Sequence, residues 1–218
     1  MCAMRCGEIQ PAICLILVIM PIHKRAQSKS LGKHPKNRLQ LLSSKHVFDG
    51  KVFSVTSDKV KEPNGIVARR DVVHHSGSVV ILAIDESGSE SRVLLERQYR
   101  YATRDYLLEL PAGSLDPGEK PLAAGKRELL EETGYRARQW KRALRFYPSP
   151  GFLDEIITIY LARGLTSGKA QPEADESIEY QLVPLAQAIE MVLSGRIRDG
   201  KTISGVLWLA ESLRRDQL

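Results

Sequence analysis

The order of apolar patterns along the chain is the feature that most constrains its fold. Short β-like segments come first, followed by one helical segment that Pro121 opens and Gly134 closes, then further β-like segments and two final helices. Proline suits the first turn of a helix, where its missing N–H leaves no hydrogen bond unmade, and glycine is common directly after the last turn. This order favours a mixed sheet with helices packed on it, an α/β or α+β layer architecture.

Turn residues and apolar runs predict the individual elements. Asp49-Gly50 predicts a two-residue hairpin turn between Val47-Phe48 and Lys51–Val55, because type I′ turns need positive φ at both central positions. Further strands are expected at 65–75, 79–84, 93–99, 107–110, 143–147, 156–161 and 178–183, and helices at 122–133, 184–193 and 202–214. The apolar face expected for the last helix consists of Ile203, Val206, Leu207, Ala210 and Leu213.

The positive net charge of the chain lies at its N-terminal end. Residues 1–45 contain eight Lys and Arg against the single Glu8, a net charge of +7, whereas the remaining 24 basic and 25 acidic residues give −1. Residues 46–218 therefore have no excess of positive charge with which to neutralise a run of phosphates, and we expect no nucleic-acid partner. All three cysteines also lie within residues 1–45. Residues 46–218 therefore contain no disulfide framework, no Cys nucleophile and no thiolate zinc site.

Residues 1–42 are predicted to be a leader outside the fold. Its apolar run at 12–20 is about half as long as a membrane-spanning helix requires, so we expect no membrane span. Three interpretations remain open: the hydrophobic region of a signal peptide, a disordered tail, or an over-extended start of the reading frame.

Three glutamates converge on one edge of the central helix. Glu128 and Glu132 are four residues apart, which stacks them on one face, and Glu131 lies on the adjoining edge. Like charges at this spacing repel, so the cluster is explained if divalent cations lie between the carboxylates. Oxygen ligands of this kind favour Mg²⁺ or Mn²⁺ over Zn²⁺. The alternative is a solvated acidic face on which Arg127 pairs with Glu131.

The spacing of the whole segment decides between these two interpretations. It resembles the signature box of the Nudix hydrolases at every fixed identity, with Tyr135 standing where an aliphatic residue is usual; the matched pattern is Gly113-x5-Glu119-x7-Arg127-Glu128-Leu129-x-Glu131-Glu132-x-Gly134. The resemblance implies a Nudix-type α/β/α sandwich with a mixed sheet, preceded by a small N-terminal antiparallel β element. The implied domains are 1–42 (leader), 43–76 (N-terminal β element) and 77–218 (Nudix hydrolase domain).

The same resemblance implies roles for the residues of the box. Glu128, Glu132 and the backbone carbonyl of Ala112 would hold Mg²⁺, with Mn²⁺ as the alternative metal, and Glu131 would be a further ligand or the catalytic base. Arg127 and Glu119 would hold the loop to the helix.

Segments outside the box resemble the ADP-ribose pyrophosphatase branch of this family. They are Arg97–Arg100, Leu108–Gly113 and Ser149–Phe152, with Pro150 sixteen residues after Gly134. The branch implies Mg²⁺-dependent hydrolysis of ADP-ribose to AMP and ribose 5-phosphate. The substrate-binding residues it implies are Arg100, on a phosphate, together with Glu109, Pro150 and Glu155. The catalytic base would come from the acidic loop 172–177, with Glu176 as first choice and Glu173 and Asp175 as rivals.

The branch also implies a homodimer whose N-terminal strands form part of the partner's adenine pocket. The absence of cysteines after residue 45 fits a reducing compartment, and we expect a cytoplasmic location. Phe53 would then stack on adenine or belong to the core or interface. Two alternatives stay open for the activity: a broader nucleoside diphosphate-sugar or dinucleotide pyrophosphatase, and a nucleotide-sensing module without catalysis. A sensing module would be expected to have lost carboxylates of the box, and this chain keeps them all.

Overall fold

Ten strands and three helices make up the part of the chain that the computed structural model describes, which is residues 39–168, 178–216 and 218. The strands are β1 (Gln40–Asp49), β2 (Phe53–Lys61), β3 (Val67–His75), β4 (Ser78–Asp85), β5 (Arg92–Arg100), β6 (Asp105–Glu109), β7 (Ala112–Ser114), β8 (Arg136–Phe146), β9 (Ile157–Thr166) and β10 (Ile178–Pro184). The helices are α1 (Pro121–Thr133), α2 (Leu185–Leu193) and α3 (Gly200–Arg214). No helix within these ranges has the length and apolar character needed to span a membrane.

The first three strands form an antiparallel sheet of their own, in the order β1-β2-β3. β1 begins at Gln40, so residues 40–42 belong to the sheet and not to the predicted leader. The predicted hairpin forms, but the type I′ turn is wrong. Asp49 pairs with Ser54, which leaves four residues between them, and neither Asp49 nor Gly50 has a positive φ. The Gly50 N–H instead donates to the Phe53 carbonyl at 3.0 Å and closes the longer loop.

The second sheet is mixed and contains the other seven strands. Its order is β10-β5-β4-β9-β8, with β6 paired to β5 and β7 paired to β4. β4 and β9 run parallel, and the other pairs are antiparallel. β8 begins at Arg136, well before the predicted start at 143. Its first half is polar and has no apolar pattern that would indicate a strand, but pairing with β9 holds it in the sheet.

Helices cover both faces of this mixed sheet. Along β4, Val80 and Leu82 pack in the same cluster as Met191 of α2 and Leu209 of α3. Ile81, on the other face, packs in the cluster that contains Leu129 of α1. Successive side chains of a strand point to opposite faces, so β4 is buried throughout. The predicted α/β/α sandwich with a mixed sheet is confirmed.

The predicted apolar face of α3 is partly wrong. Leu207 and Leu213 are exposed, and the buried positions are Thr202, Gly205, Val206, Leu209 and Ser212. Polar residues fix this orientation. The Asp199 side chain accepts a hydrogen bond from the Thr202 N–H and caps the helix, while the Thr202 hydroxyl accepts one from the Leu110 N–H at 2.8 Å. Hydrogen bonding to Thr202 therefore turns the helix away from the face that apolar periodicity indicates.

The N-terminal sheet is attached to the segment 149–155, which leads into β9. The Val73 N–H donates to the Phe152 carbonyl at 2.7 Å, and the Asp154 N–H donates to the Val73 carbonyl at 3.1 Å. The His74 ring adds a side-chain connection, with Nδ1 2.6 Å from the Asp154 carboxylate and Nε2 2.9 Å from the Thr56 hydroxyl. Backbone and side-chain bonds thus join β3 to a segment next to the candidate site.

Candidate active site

Helix α1 is fixed at both of its ends. Pro121 occupies its first turn, and Gly134 follows its last turn with φ +73°, a left-handed conformation that glycine adopts without strain. The Gly134 N–H donates to the Leu130 carbonyl at 2.9 Å. These local signals, both readable in the sequence, mark the two ends of the helix that carries the three glutamates.

Gly113 in β7 allows Glu128 to approach the sheet. A Cβ atom on Gly113 would lie 1.9 Å from Glu128 Oε1 and 2.1 Å from its Cδ, so the carboxylate occupies the space that any other residue's side chain would need. Glu128 is therefore held against the backbone next to Ala112. The structure therefore places the Glu128 carboxylate next to β7, the strand that contains Ala112. The family resemblance implies that Glu128 and the Ala112 carbonyl are both metal ligands.

Arg127 connects the loop before α1 to the glutamates of the helix. Its guanidinium donates to Glu119 at 2.9 and 3.1 Å, to Glu128 at 2.8 Å and to Glu131 at 3.1 Å. The hydrogen bonds to Glu119 raise the pKa of Arg127, and the same bonds lower the pKa of Glu119. The pair of Arg127 with Glu131 that a solvated face would show does form, but within a network that also includes the loop.

The three glutamates of α1 differ in exposure. The Glu128 side chain is 12% exposed and that of Glu131 is 46% exposed, while Glu132 is buried. Within residues 39–168, 178–216 and 218, no three acidic or histidine side chains surround a common point at which a metal ion could be held. The predicted base Glu176 and its rivals Glu173 and Asp175 lie outside the described residues.

A cavity of about 540 Å³ opens beside β7. Its walls come from Ala112–Ser114, from Arg100 on β5, from Glu155, from Phe146–Pro148 and from the start of α3 at 199–204. Three of the predicted site residues, Arg100, Ala112 and Glu155, therefore line one space. Pro150 does not: it is exposed in the turn between Ser149 and Phe152.

Glu109 is the buried centre of a charged cluster. It is 1% exposed, so it lies behind the cavity wall. Arg100 donates to both of its oxygens, at 2.9 and 2.8 Å, and Lys201 Nζ donates to Glu109 as well. Burial disfavours the ionised form, but these two cations outweigh it and hold the pKa of Glu109 below its ordinary value. Glu109 is thus bonded to two cations that line the cavity, Arg100 and Lys201, and does not line it itself.

Glu155 also lines the cavity, where Ser78 holds it. The Ser78 hydroxyl donates to Glu155 Oε1 at 2.5 Å. His75 Nδ1 is 3.7 Å from the same oxygen, but it accepts a hydrogen bond from the Gly77 N–H at 3.0 Å. His75 Nδ1 is thus bonded to the backbone at Gly77, and the Ser78 hydroxyl holds the Glu155 carboxylate.

The start of α3 is the part of the cavity that the sequence interpretation missed. Asp199, Lys201 and Ser204 all line it. A signal for the first two exists, because Asp199 three residues before Thr202 is the spacing of a helix N-cap. That signal places the helix start at Gly200 instead of the predicted 202, and Lys201 in its first turn.

Comparisons with known proteins agree with this architecture. The family model described as "NUDIX domain" matches residues 74–204. The chain is 35% identical over 170 residues to the "ADP-ribose pyrophosphatase" of Bacillus subtilis (strain 168) and 36% identical over 170 residues to the "Methanol dehydrogenase activator" of Bacillus methanolicus; each match covers 77% of this chain and 90% of the relative. The crystal structure of an "ADP compounds hydrolase" has the same fold, with a TM-score of 0.72 and 21% identity, over 83% of this chain and 97% of the other.

Proposed function

This chain belongs to the Nudix family and is a Nudix pyrophosphohydrolase, and from that premise we propose that it hydrolyses ADP-ribose to AMP and ribose 5-phosphate in a reaction that depends on Mg²⁺. The observation that carries the proposal is the cavity bounded by Arg100, Ala112–Ser114 and Glu155, one edge of which, at Gly113, lies against the Glu128 carboxylate. The name of the Bacillus subtilis relative supports the choice of substrate, and the name of the Bacillus methanolicus relative states none.

We propose that Glu128, Glu132 and the Ala112 carbonyl hold Mg²⁺, or Mn²⁺ as the alternative. Three observations support this assignment: the donors are hard oxygens, Glu128 lies against the backbone at Gly113, and the Arg127 guanidinium already lies among the carboxylates as a cation. When bound, the metal would neutralise the pyrophosphate and lower the pKa of the attacking water. Glu131 and Glu176 remain the two candidate acceptors of that water's proton.

Arg100 and Glu155 line the same cavity, and both would orient the substrate. The planar guanidinium of Arg100 suits a phosphate, because its donors match the spacing of two oxygens. The Glu155 carboxylate accepts hydrogen bonds and donates none, so it suits the hydroxyls of a ribose. We further propose that Pro150 stiffens the turn before Glu155, since proline fixes its own φ.

A panel of substrates assayed with Mg²⁺ tests the proposed activity. We expect ADP-ribose to have the highest kcat/KM, ahead of ADP-glucose, GDP-mannose and NADH, with AMP and ribose 5-phosphate identified by mass. Arg100→Ala is expected to raise KM at least about tenfold and to lower kcat less, since its contact is made in ground and transition states alike. Arg97→Ala is the matched control, because Arg97 stacks over Tyr106 at 3.8 Å and does not line the cavity.

The same panel distinguishes the alternatives. A preference of tenfold or more for NADH or for another nucleoside diphosphate sugar would contradict ADP-ribose as the substrate. The assignment as a pyrophosphatase would still stand. Binding of ADP-ribose with no products would favour a sensing module and contradict the proposed catalysis.

We also propose that the protein is a homodimer joined through the N-terminal sheet. All of β1 is exposed, and the exposed apolar side chains of the sheet include Leu41, Val47, Phe48 and Phe53. The Phe48 and Phe53 rings are 5.5 Å apart. A concentration of exposed apolar side chains on one sheet is typical of a surface that another chain covers.

Sedimentation equilibrium tests this assembly. The wild-type protein is expected to sediment at twice the chain mass of 24.4 kDa, and the double variant Phe48→Ser/Phe53→Ser at the mass of one chain. Tyr101→Ser serves as the control, because Tyr101 is the most exposed large hydrophobic residue outside this sheet within the described residues. A wild-type protein that sediments as one chain at micromolar concentration would contradict the proposal.

A further inference from the structure

We infer that Ser78 is a positioning residue for substrate binding, because its hydroxyl fixes the carboxylate of Glu155 at the cavity. This inference rests on the proposed function and deepens it, since it identifies the residue that holds the proposed ribose-binding group in place. Both residues line the cavity, and the Ser78 hydroxyl donates to Glu155 Oε1 at 2.5 Å.

The backbone on both sides of Glu155 is already held by β3 and β4. On one side, the Asp154 N–H donates to the Val73 carbonyl at 3.1 Å. On the other side, the Ile156 carbonyl accepts a hydrogen bond from the Ser78 N–H at 3.0 Å. The Glu155 side chain still has three rotatable bonds, and the torsion next to the carboxylate has only a broad preference. A hydrogen bond to the carboxylate itself therefore decides where its two oxygens lie.

Ser78 is a suitable donor because its own position is fixed. It is the first residue of β4, where it pairs with Ser114 of β7 on one side and with Ile157 of β9 on the other. The turn before it is tight. Gly77 has a φ of +94°, and a Cβ atom there would lie 3.2 Å from the Ile156 carbonyl oxygen. A hydroxyl on a strand that is paired on both sides holds its acceptor at a defined place.

The same pairing relates Glu155 to the edge of the cavity that we assign to the metal. Ser78 is paired with β7, and the middle residue of β7 is Gly113, against which the Glu128 carboxylate lies. Ser78 therefore connects the proposed ribose-binding group with the strand that contains a proposed metal ligand. In ADP-ribose a ribose is bonded directly to the diphosphate, so a substrate that reaches both groups requires this spacing.

Charge explains why the carboxylate requires such a hydrogen bond. Glu155 and the diphosphate of the substrate are both negative, so a carboxylate that is free to rotate would turn away from the substrate. A hydrogen bond from a hydroxyl to an ionised carboxylate is stronger than one between neutral groups, and it opposes this rotation. Because a carboxylate accepts several hydrogen bonds, Oε2 can still accept from a ribose hydroxyl while Oε1 is bonded to Ser78.

A double-mutant cycle tests whether Ser78 acts through Glu155. The experiment measures kcat/KM with Mg²⁺, on the substrate of the panel that the wild-type protein hydrolyses best, for Ser78→Ala, for Glu155→Ala and for the double variant. Ser78→Ala is expected to lower kcat/KM at least about tenfold, mainly by raising KM. In the Glu155→Ala background the same change is expected to cost less than about twofold, because no carboxylate is left to position.

Two further variants serve as controls. Ser78→Thr keeps the hydroxyl at a partly buried position that lines the cavity, and it is expected to retain kcat/KM within about threefold of wild type. Ser87→Ala is the matched control, because the Ser87 hydroxyl also bonds to a carboxylate, that of Asp85, at the other end of β4 and outside the cavity lining. We expect Ser87→Ala to leave kcat/KM unchanged.

The remaining outcomes each contradict a different statement. A kcat/KM within twofold of wild type in Ser78→Ala would overturn the positioning role and leave the proposed hydrolase intact. Equal losses with and without Glu155 would show that Ser78 acts independently of that carboxylate, and a loss that Ser78→Thr does not restore would show that the hydroxyl is not responsible. Either result overturns the inference. A wild-type protein that hydrolyses no substrate of the panel would refute the proposed function, and the inference with it.

Discussion

Replacing Glu132 with glutamine is expected to lower turnover of ADP-ribose by more than about 100-fold while the protein stays folded. The substitution preserves the shape of the side chain and removes its charge, so an anionic metal ligand becomes a neutral one. Changes in groups that merely orient metal ligands already cost about 10- to 100-fold, and a ligand itself is expected to cost more. Glu132 is buried in the last turn of α1, the helix that carries the other proposed ligand, Glu128.

Two measurements accompany this variant. Thermal unfolding is expected to show no loss of stability, because the change relieves repulsion between Glu132 and Glu128 on one helical face. Glu190→Gln on the exposed side of α2 is the matched control and should leave turnover unchanged. Near-normal hydrolysis by Glu132→Gln at saturating Mg²⁺ would remove Glu132 from the proposed metal site.

Gly113→Ala is expected to lower kcat about 100-fold, although it adds only one methyl group. The new Cβ would lie 1.9 Å from Glu128 Oε1, which is far too close for two atoms that are not bonded to each other. Either the carboxylate or β7 must therefore move. Misplacing a reacting or orienting group by about 1 Å costs on the order of 100-fold in rate. Because the carboxylate is the flexible end of the Glu128 side chain, we expect it to move and the fold to persist.

Gly151→Ala provides the comparison for this substitution. Gly151 belongs to the turn before Glu155, its φ is not positive, and an added Cβ meets no atom within 4 Å. We expect that variant to keep its activity. If Gly113→Ala retained wild-type kcat, the close contact between Glu128 and β7 would have no part in the reaction.

The parts of the site that are encoded locally could be predicted from the sequence. Pro121 and Gly134 mark the ends of α1, and the spacing of Glu128, Glu131 and Glu132 follows from the helix repeat alone. The structure confirms the helix because each of these signals acts within a few residues. The sheet was predictable for a similar reason, since most of β4 and the first half of β5 are apolar runs buried on both faces.

The wall formed by α3 could not be predicted in the same way. Lys201 and Glu109 are 92 residues apart, and only the packing of α3 against the mixed sheet brings them together. The burial of Glu109 depends likewise on the pairing of β5 with β6, which no residue near it specifies. The orientation of α3 followed the hydrogen bonds of Thr202 instead of the apolar periodicity, because a buried hydroxyl must be satisfied.

The bonds that join Val73 to Phe152 and Asp154 have a consequence for protein engineering. They continue β3 into the segment that ends at Glu155, so residues 39–75 cannot be exchanged for a foreign module without releasing a wall of the cavity. A chimaera that grafts another N-terminal sheet onto this catalytic domain must therefore also carry a compatible 149–155 segment. The two sheets are best transplanted, and compared among relatives, as one inherited unit.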